Sequence, residues 1–121
     1  MLFPEAQLRI WLYAQPCDMR RSYDGLSALA KQHLGEDPLS GQLFVFLNRR
    51  QTQVKILYFD RSGYCIWSKR LEQGRFRAPP GQGDKVALDW TRLKLILEGI
   101  EVQKIRQRKR HFRSVSSPSR V

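Results

Sequence analysis

The chain has 121 residues and a formal net charge of +11, with 22 basic side chains against 11 acidic ones. This length suits one domain, and a hydrophobic content of 41% is more than a disordered polyelectrolyte carries. No apolar run approaches the ~20 residues of a membrane span, and the first residues lack the basic start and apolar stretch of a signal peptide. Two cysteines, Cys17 and Cys65, make neither a disulfide framework nor a metal site. We therefore expect one reduced, cytoplasmic domain without membrane contact.

The positive charge is concentrated near the C-terminus. Residues 103–121 hold seven of the basic residues and no acidic one, so the preceding 102 residues carry a net charge of +4. Basic runs of this kind are typical of segments that contact polyanions. After about residue 105 the sequence offers no core contact. We therefore predict one folded domain over residues 1–105 and a basic, disordered tail over residues 106–121.

The first predicted elements are a strand and a helix. Leu8–Tyr13 carries an apolar residue at every second position, which predicts a strand. Apolar side chains at helical spacing then continue to Leu34, and either Ser22 or Asp24 can cap the free amides at the start of this helix. Because glycine costs about 1 kcal/mol inside a helix, we favour Asp24 as the cap, with Gly25 in the first turn.

Three strands are predicted to follow the helix. Leu43–Leu47 is an apolar run typical of a central strand, and Val54–Phe59 and Tyr64–Arg70 are rich in residues that favour strands. The connections between them, residues 48–52 and 60–63, are short. A parallel crossover needs a dozen or more residues, so neighbouring strands joined this closely are antiparallel. The three strands therefore form a β-meander.

The last predicted elements are a short strand and a second helix. Residues 72–84 are rich in glycine and proline and predict an irregular loop. Val86–Leu88 predicts a short strand, and Asp89 caps a helix that Gly99 ends. The fold class is therefore α+β, an antiparallel β-meander with one helix before it and one after it, followed by the basic C-terminal tail.

No residue pattern indicates catalysis. His33 and His111 lie far apart, and no histidine or cysteine stands at metal-ligand spacing from another. The chain contains neither a Gly-x-Ser-x-Gly elbow nor a glycine-rich phosphate loop followed by lysine. We therefore expect that the protein is not an enzyme and holds no metal and no cofactor.

A metal-dependent nuclease would need two or three converging carboxylates. The acidic residues that come into question all have ordinary roles in turns, caps and loops: Asp18, Asp24, Asp60, Glu72, Asp84 and Asp89. Convergence of distant carboxylates is not visible in a sequence, so a nuclease is kept as the least favoured hypothesis.

The basic residues are the feature of the sequence that indicates a binding function. Arg49 and Arg50 fall at a predicted hairpin tip, Lys69 and Arg70 end the meander, and exposed cationic side chains of this kind suit phosphate contacts. The candidate nucleic-acid or partner-binding residues are Arg49, Arg50, Lys55, Lys69, Arg70, Arg75, Arg77, Lys104, Arg106, Arg108, Lys109 and Arg110.

Aromatic residues on the meander allow a second interpretation. Sheets that recognise RNA stack bases on aromatic side chains, and the meander carries Phe44, Phe46, Tyr58, Phe59, Tyr64 and Trp67. However, Phe44 and Phe46 share a face within an all-apolar strand, which is typical of core aromatics. We therefore favour a core role over base stacking.

Several short motifs occur in one order along residues 8–101. They are Asp18-Met19-Arg20, Asp24-Gly25-Leu26, Gly41-Gln42-Leu43-Phe44-Val45-Phe46, Arg49-Arg50 with Lys55, Asp60 with Gly63, Lys69-Arg70-Leu71-Glu72, Gly74-Arg75-Phe76 and Leu97-Glu98-Gly99-Ile100. As an ordered set they resemble the small TnpB-type (second open reading frame) accessory protein of bacterial insertion sequence 66 elements. The resemblance implies a non-catalytic accessory protein of DNA transposition that assists a separate, larger transposase.

The resemblance does not decide which partner the basic residues meet. The first hypothesis is a protein that binds DNA at the element ends, the transposase, or both. The second is a protein-interaction adaptor that docks on the transposase through the meander and the loop at residues 72–84, without direct DNA contact. The sequence leaves the oligomeric state open.

Overall fold

Five strands and two helices make up the fold in the computed structural model, which describes residues 8–79 and 83–98. The elements are β1 (Ile10–Tyr13), α1 (Tyr23–Gln32), β2 (Leu43–Leu47), β3 (Gln53–Asp60), β4 (Gly63–Arg70), β5 (Lys85–Leu88) and α2 (Trp90–Glu98). The predicted α+β class is confirmed, with one helix before the meander and one after it. The predicted tail, residues 106–121, and the predicted helix stop at Gly99 lie outside the described residues.

The strands form one sheet in the order β4-β3-β2-β1-β5. The pairs β2–β3 and β3–β4 are antiparallel, which confirms the meander, and β5 pairs antiparallel with β1. The pair β1–β2 is parallel, because α1 lies between these strands in the chain and carries it back to the starting end of the sheet. The carboxyl ends of β1, β2 and β4 and the start of β3 therefore lie at the same end of the sheet.

A helix covers each face of the sheet, and alternate residues of β2 supply both cores. Phe44 and Phe46 pack towards α1 with Leu26, whereas Val45 packs towards α2 with Leu93. All five residues of β2 are buried, as expected of a strand covered on both faces. Phe44 and Phe46 are fully enclosed, so the prediction that they belong to the core is confirmed.

The helix starts give one correction and one confirmation. Helix α1 begins at Tyr23 with Ser22 as its N-cap, so the predicted cap at Asp24 is wrong. Asp24 instead lies in the first turn, where its negative charge interacts favourably with the free backbone amides. In α2 the predicted cap is confirmed, because the Asp89 carboxylate accepts a hydrogen bond from the Arg92 backbone N–H at 2.7 Å.

Candidate nucleic-acid interface

The turn between β2 and β3 presents Arg49 and Arg50 to solvent. The Asn48 side chain holds this turn, since its Oδ1 accepts the backbone N–H of Thr52 at 2.8 Å. The backbone carbonyl oxygen of Asn48 also accepts a hydrogen bond from the Gln51 N–H at 3.0 Å. Gln51 takes a left-handed φ of 60°, as the residue after a type I turn does in longer hairpin loops. The two arginines therefore project from a well-fixed tip.

The end of β4 lies beside the foot of this hairpin. The antiparallel register places Arg70 opposite Gln53, the first residue of β3. The next residue, Leu71, donates its N–H to the Thr52 carbonyl oxygen at 2.8 Å. Lys69 and Arg70 are thereby held next to the hairpin tip, although Arg70 lies 20 positions after Arg50 in the sequence.

The loop after β4 is fastened to the same hairpin through Phe76. Its backbone N–H donates to the Gln51 carbonyl oxygen at 2.6 Å, and its side chain is 1% exposed in the core under α2. The flanking residues Arg75 and Arg77 are exposed. Phe76 therefore acts as an anchor that fixes two arginines beside the hairpin. Sequence reasoning did not assign this role, although a lone aromatic between two arginines in a glycine- and proline-rich loop is a usable signal.

These contacts gather six of the sequence-predicted site residues at one end of the sheet. We call this surface the basic end, and it consists of Arg49, Arg50, Lys69, Arg70, Arg75 and Arg77. The Arg70 guanidinium lies 3.5 Å from the Glu72 carboxylate, and both side chains are well exposed. Exposed pairs of this kind contribute little to stability, so Arg70 can exchange Glu72 for a phosphate at small cost.

Two of the predicted lysines already have protein partners. The Lys55 ammonium donates to the backbone carbonyl oxygens of Met19 and Arg21, at 2.7 and 2.8 Å, on the face of the sheet that α1 covers. The Lys69 ammonium donates a hydrogen bond to the Leu97 carbonyl oxygen at 3.3 Å. Leu97 lies at the C-terminal end of α2, where a positive charge interacts favourably with the helix dipole. The Lys55 ammonium is therefore engaged by the β1–α1 connection and is not counted in the basic end, and Lys69 joins the basic end to α2. The other five predicted residues, from Lys104 to Arg110, lie outside the described residues.

The connection from β1 to α1 reaches the same end of the sheet, because the Cys17 N–H donates to the carbonyl oxygen of Leu47, the last residue of β2. Here the Arg20 guanidinium lies 2.7 Å from the Asp18 carboxylate. The hydrogen bonds from the side chain and backbone of Arg20 lower the pKa of Asp18 to about 2, so this carboxylate stays ionised at neutral pH. It balances the charge of Arg20 and leaves the exposed Arg21 as a further cation near the basic end.

A cleft of about 360 Å³ opens at the carboxyl ends of the parallel strands β1 and β2. Tyr13, Pro16, Arg49 and Pro79 contribute to its lining. Burial, and secondarily the charge of Asp84, raises the pKa of the Tyr13 phenol, so this side chain is uncharged at neutral pH. Clefts at the carboxyl ends of parallel strands are common ligand sites. Here Arg49, at the hairpin tip, supplies the positive charge in the lining.

The carboxylates of the nuclease hypothesis are spread over the fold. Asp18 pairs with Arg20, Asp89 caps α2, and Asp60 ends β3 at the opposite end of the sheet from Arg49. Within residues 8–79 and 83–98, no three histidine, cysteine or carboxylate side chains lie close enough to hold a metal ion. In the same part of the chain, neither helix is long and apolar enough to cross a membrane.

Comparisons with known proteins find one matching family and two similar proteins. The family described as IS66 Orf2-like protein matches residues 8–107. The uncharacterized protein y4hO of Sinorhizobium fredii is 34% identical over 83% of this chain and 88% of its own length. The uncharacterized protein y4jC of the same organism is 37% identical, over 78% of this chain and 91% of its own length. No solved structure matches the chain.

Proposed function

Because the chain belongs to the IS66 Orf2-like family, whose members have a role in transposition, we propose that it is a non-catalytic accessory protein that binds DNA at the element ends. The basic end supplies the contacts to the phosphate backbone. The five bases from Lys104 to Arg110 add further contacts to the same DNA. The larger transposase of the element carries out the chemistry.

The observation that supports this proposal is the convergence of three separate segments into one basic surface. The hydrogen bonds from Leu71 to Thr52 and from Phe76 to Gln51 hold the strand end and the loop against the hairpin. Cations gathered in this way repel one another, so the arrangement is costly for the free protein. A polyanion such as DNA removes that cost, because its phosphates neutralise the cations and release condensed counterions.

The position of α2 supports a joint role for the basic end and the C-terminal bases. The Leu97 carbonyl oxygen accepts a hydrogen bond from Lys69, and Glu98 is the last described residue. The C-terminal end of α2 therefore lies beside the basic end. Lys104 follows only six residues later in the sequence. Two basic groups linked so closely reach the same DNA at a high effective concentration.

A salt-titrated gel shift on element-end DNA tests the proposal with a charge-matched control. The wild-type protein is expected to bind with log affinity falling against log salt at a slope of about −4 to −6, from five or six phosphate contacts. The variant Arg49→Ala/Arg50→Ala should lower the affinity and flatten the slope by about two units. The control Lys31→Ala/Arg61→Ala removes the same charge from the end of α1 and from the β3–β4 turn, away from the basic end, and should bind nearly as the wild type does. Equal losses in both variants would contradict a localised interface.

A protein-interaction adaptor is the second candidate, and the position of β4 favours it. β4 is one of the two edge strands of the described sheet, and an edge strand offers unpaired backbone groups to an added strand of a partner. This candidate predicts co-purification with the transposase that neither nuclease treatment nor Arg49→Ala/Arg50→Ala weakens. Loss of the complex after either treatment would contradict it.

A further inference from the structure

Trp67 is an exposed tryptophan on the open part of the sheet. It lies in the edge strand β4 opposite Ile56, on the face that α2 covers elsewhere. Ile56 is buried, whereas Trp67 keeps 43% of its surface exposed. Among the large hydrophobic side chains that are exposed in the described residues, Trp67 is the one that belongs to the sheet. An indole in this position is free to take a flat ligand on its outer side.

The charges around Trp67 favour an anionic ligand. Lys69 lies two residues further along the same face of β4, which is about 7 Å away, and Arg70 follows it at the basic end. Within Gly63–Arg70 there is no acidic residue. A neutral apolar partner would not need these cations, and an acidic partner without aromatic groups would not need the indole, whereas a nucleic acid strand brings both phosphates and aromatic bases.

We propose that Trp67 is a stacking platform for an unpaired base of the DNA that the basic end holds, so that the protein prefers single-stranded or locally opened DNA to intact duplex. The inference rests on the proposed function, because the phosphate contacts at the basic end bring the strand into place. Stacked nucleotides on one strand rise about 3.4 Å each, so a strand held at Lys69, about 7 Å from Trp67 on the same face of β4, reaches Trp67 within about two nucleotides. Bases inside a duplex present only their edges, and stacking on Trp67 therefore requires an unpaired base.

The proposal revises the interpretation of the meander aromatics at one position. Phe44 and Phe46 belong to the core, and Phe59 and Tyr64 pack edge to face on the α1 side, with ring centroids 5.3 Å apart. Trp67 is the member of the set that remains exposed. A base would therefore stack on a single indole beside a basic surface, rather than on an array of aromatic residues.

The test compares binding to a short single strand and to the matching duplex, by fluorescence anisotropy of labelled DNA with the full chain. Trp67→Ala should lower affinity for the single strand about tenfold and leave duplex affinity unchanged. The salt slope should stay the same on both substrates, because no phosphate contact is lost. Trp67→Phe keeps an aromatic face and should retain most of the single-strand affinity. Leu95→Ala removes another exposed apolar side chain, 61% exposed on α2, and should change neither affinity.

The outcomes separate this inference from the proposed function. A wild-type chain that binds neither substrate contradicts the proposed function and the inference together. Normal duplex binding with unchanged single-strand affinity in Trp67→Ala overturns the inference alone. Equal losses of single-strand affinity in Trp67→Ala and Trp67→Phe also overturn the inference. So does a shift from dimer to monomer in Trp67→Ala, measured by light scattering, at unchanged DNA affinity, because another copy of the chain would then cover Trp67. Circular dichroism confirms that each variant is folded.

Discussion

Individual lysines and arginines at this surface have different roles, although they look alike in the sequence. Arg49 and Arg50 are exposed at a turn and are available to a ligand. The Lys55 ammonium instead donates hydrogen bonds to the carbonyl oxygens of Met19 and Arg21. Sequence reasoning placed Lys55 in the candidate site because residue type shows charge but not the destination of a long side chain. The structure distinguishes the two roles by hydrogen-bond partners.

The substitution Lys55→Met tests this difference. It leaves the Met19 and Arg21 carbonyl oxygens without their donor, so the free energy of unfolding should fall by about 1–3 kcal/mol. The salt slope of DNA binding should stay that of the wild type, because no phosphate contact is lost. Urea denaturation measures the first effect and the gel shift the second. Lys31→Met, an exposed lysine on α1, is the control for charge and should leave stability nearly unchanged. A flattened salt slope in Lys55→Met would instead place Lys55 in the DNA interface.

The elements could be predicted from local patterns more readily than their arrangement. The apolar run of β2, the short connections and Asp89 before α2 gave the meander and the second helix correctly. The parallel pairing of β1 with β2 was not predicted, because it joins strands that α1 separates and no local pattern records it. Likewise, the hairpin arginines could be found from the turn, but the approach of the 71–79 loop depends on the hydrogen bond between Phe76 and Gln51.

The substitution Phe76→Ala tests whether this loop is held by its anchor. Removing a fully buried phenylalanine should lower the free energy of unfolding by about 3–5 kcal/mol. It should also weaken DNA binding, because Arg75 and Arg77 lose their fixed place beside the hairpin. Urea denaturation and the gel shift measure the two effects. Arg75→Ala/Arg77→Ala should weaken DNA binding without the loss of stability. If Phe76→Ala binds DNA as the wild type does, the loop does not belong to the interface.

The whole molecule combines a folded body of moderate charge with a C-terminal segment of high charge. Six cations of the body lie at one end of the sheet, and one of them, Lys69, bonds to the Leu97 carbonyl oxygen near the end of α2. Phosphate contacts carry no sequence information, so the C-terminal bases should add affinity equally for every DNA sequence. Any preference for element ends must then come from contacts that the body makes beyond the phosphates, through its cleft or Trp67.

The most direct test of the central claim is a salt-titrated gel shift with a chain truncated after Gln103. The truncated protein keeps every described residue and the whole basic end. We predict that it still retards element-end DNA at low salt, with weaker binding and a flatter salt slope than the full chain. Its preference for element-end over unrelated DNA should equal that of the full chain. Absence of any retardation at low salt would contradict the account, because the folded body would then make no contact with DNA.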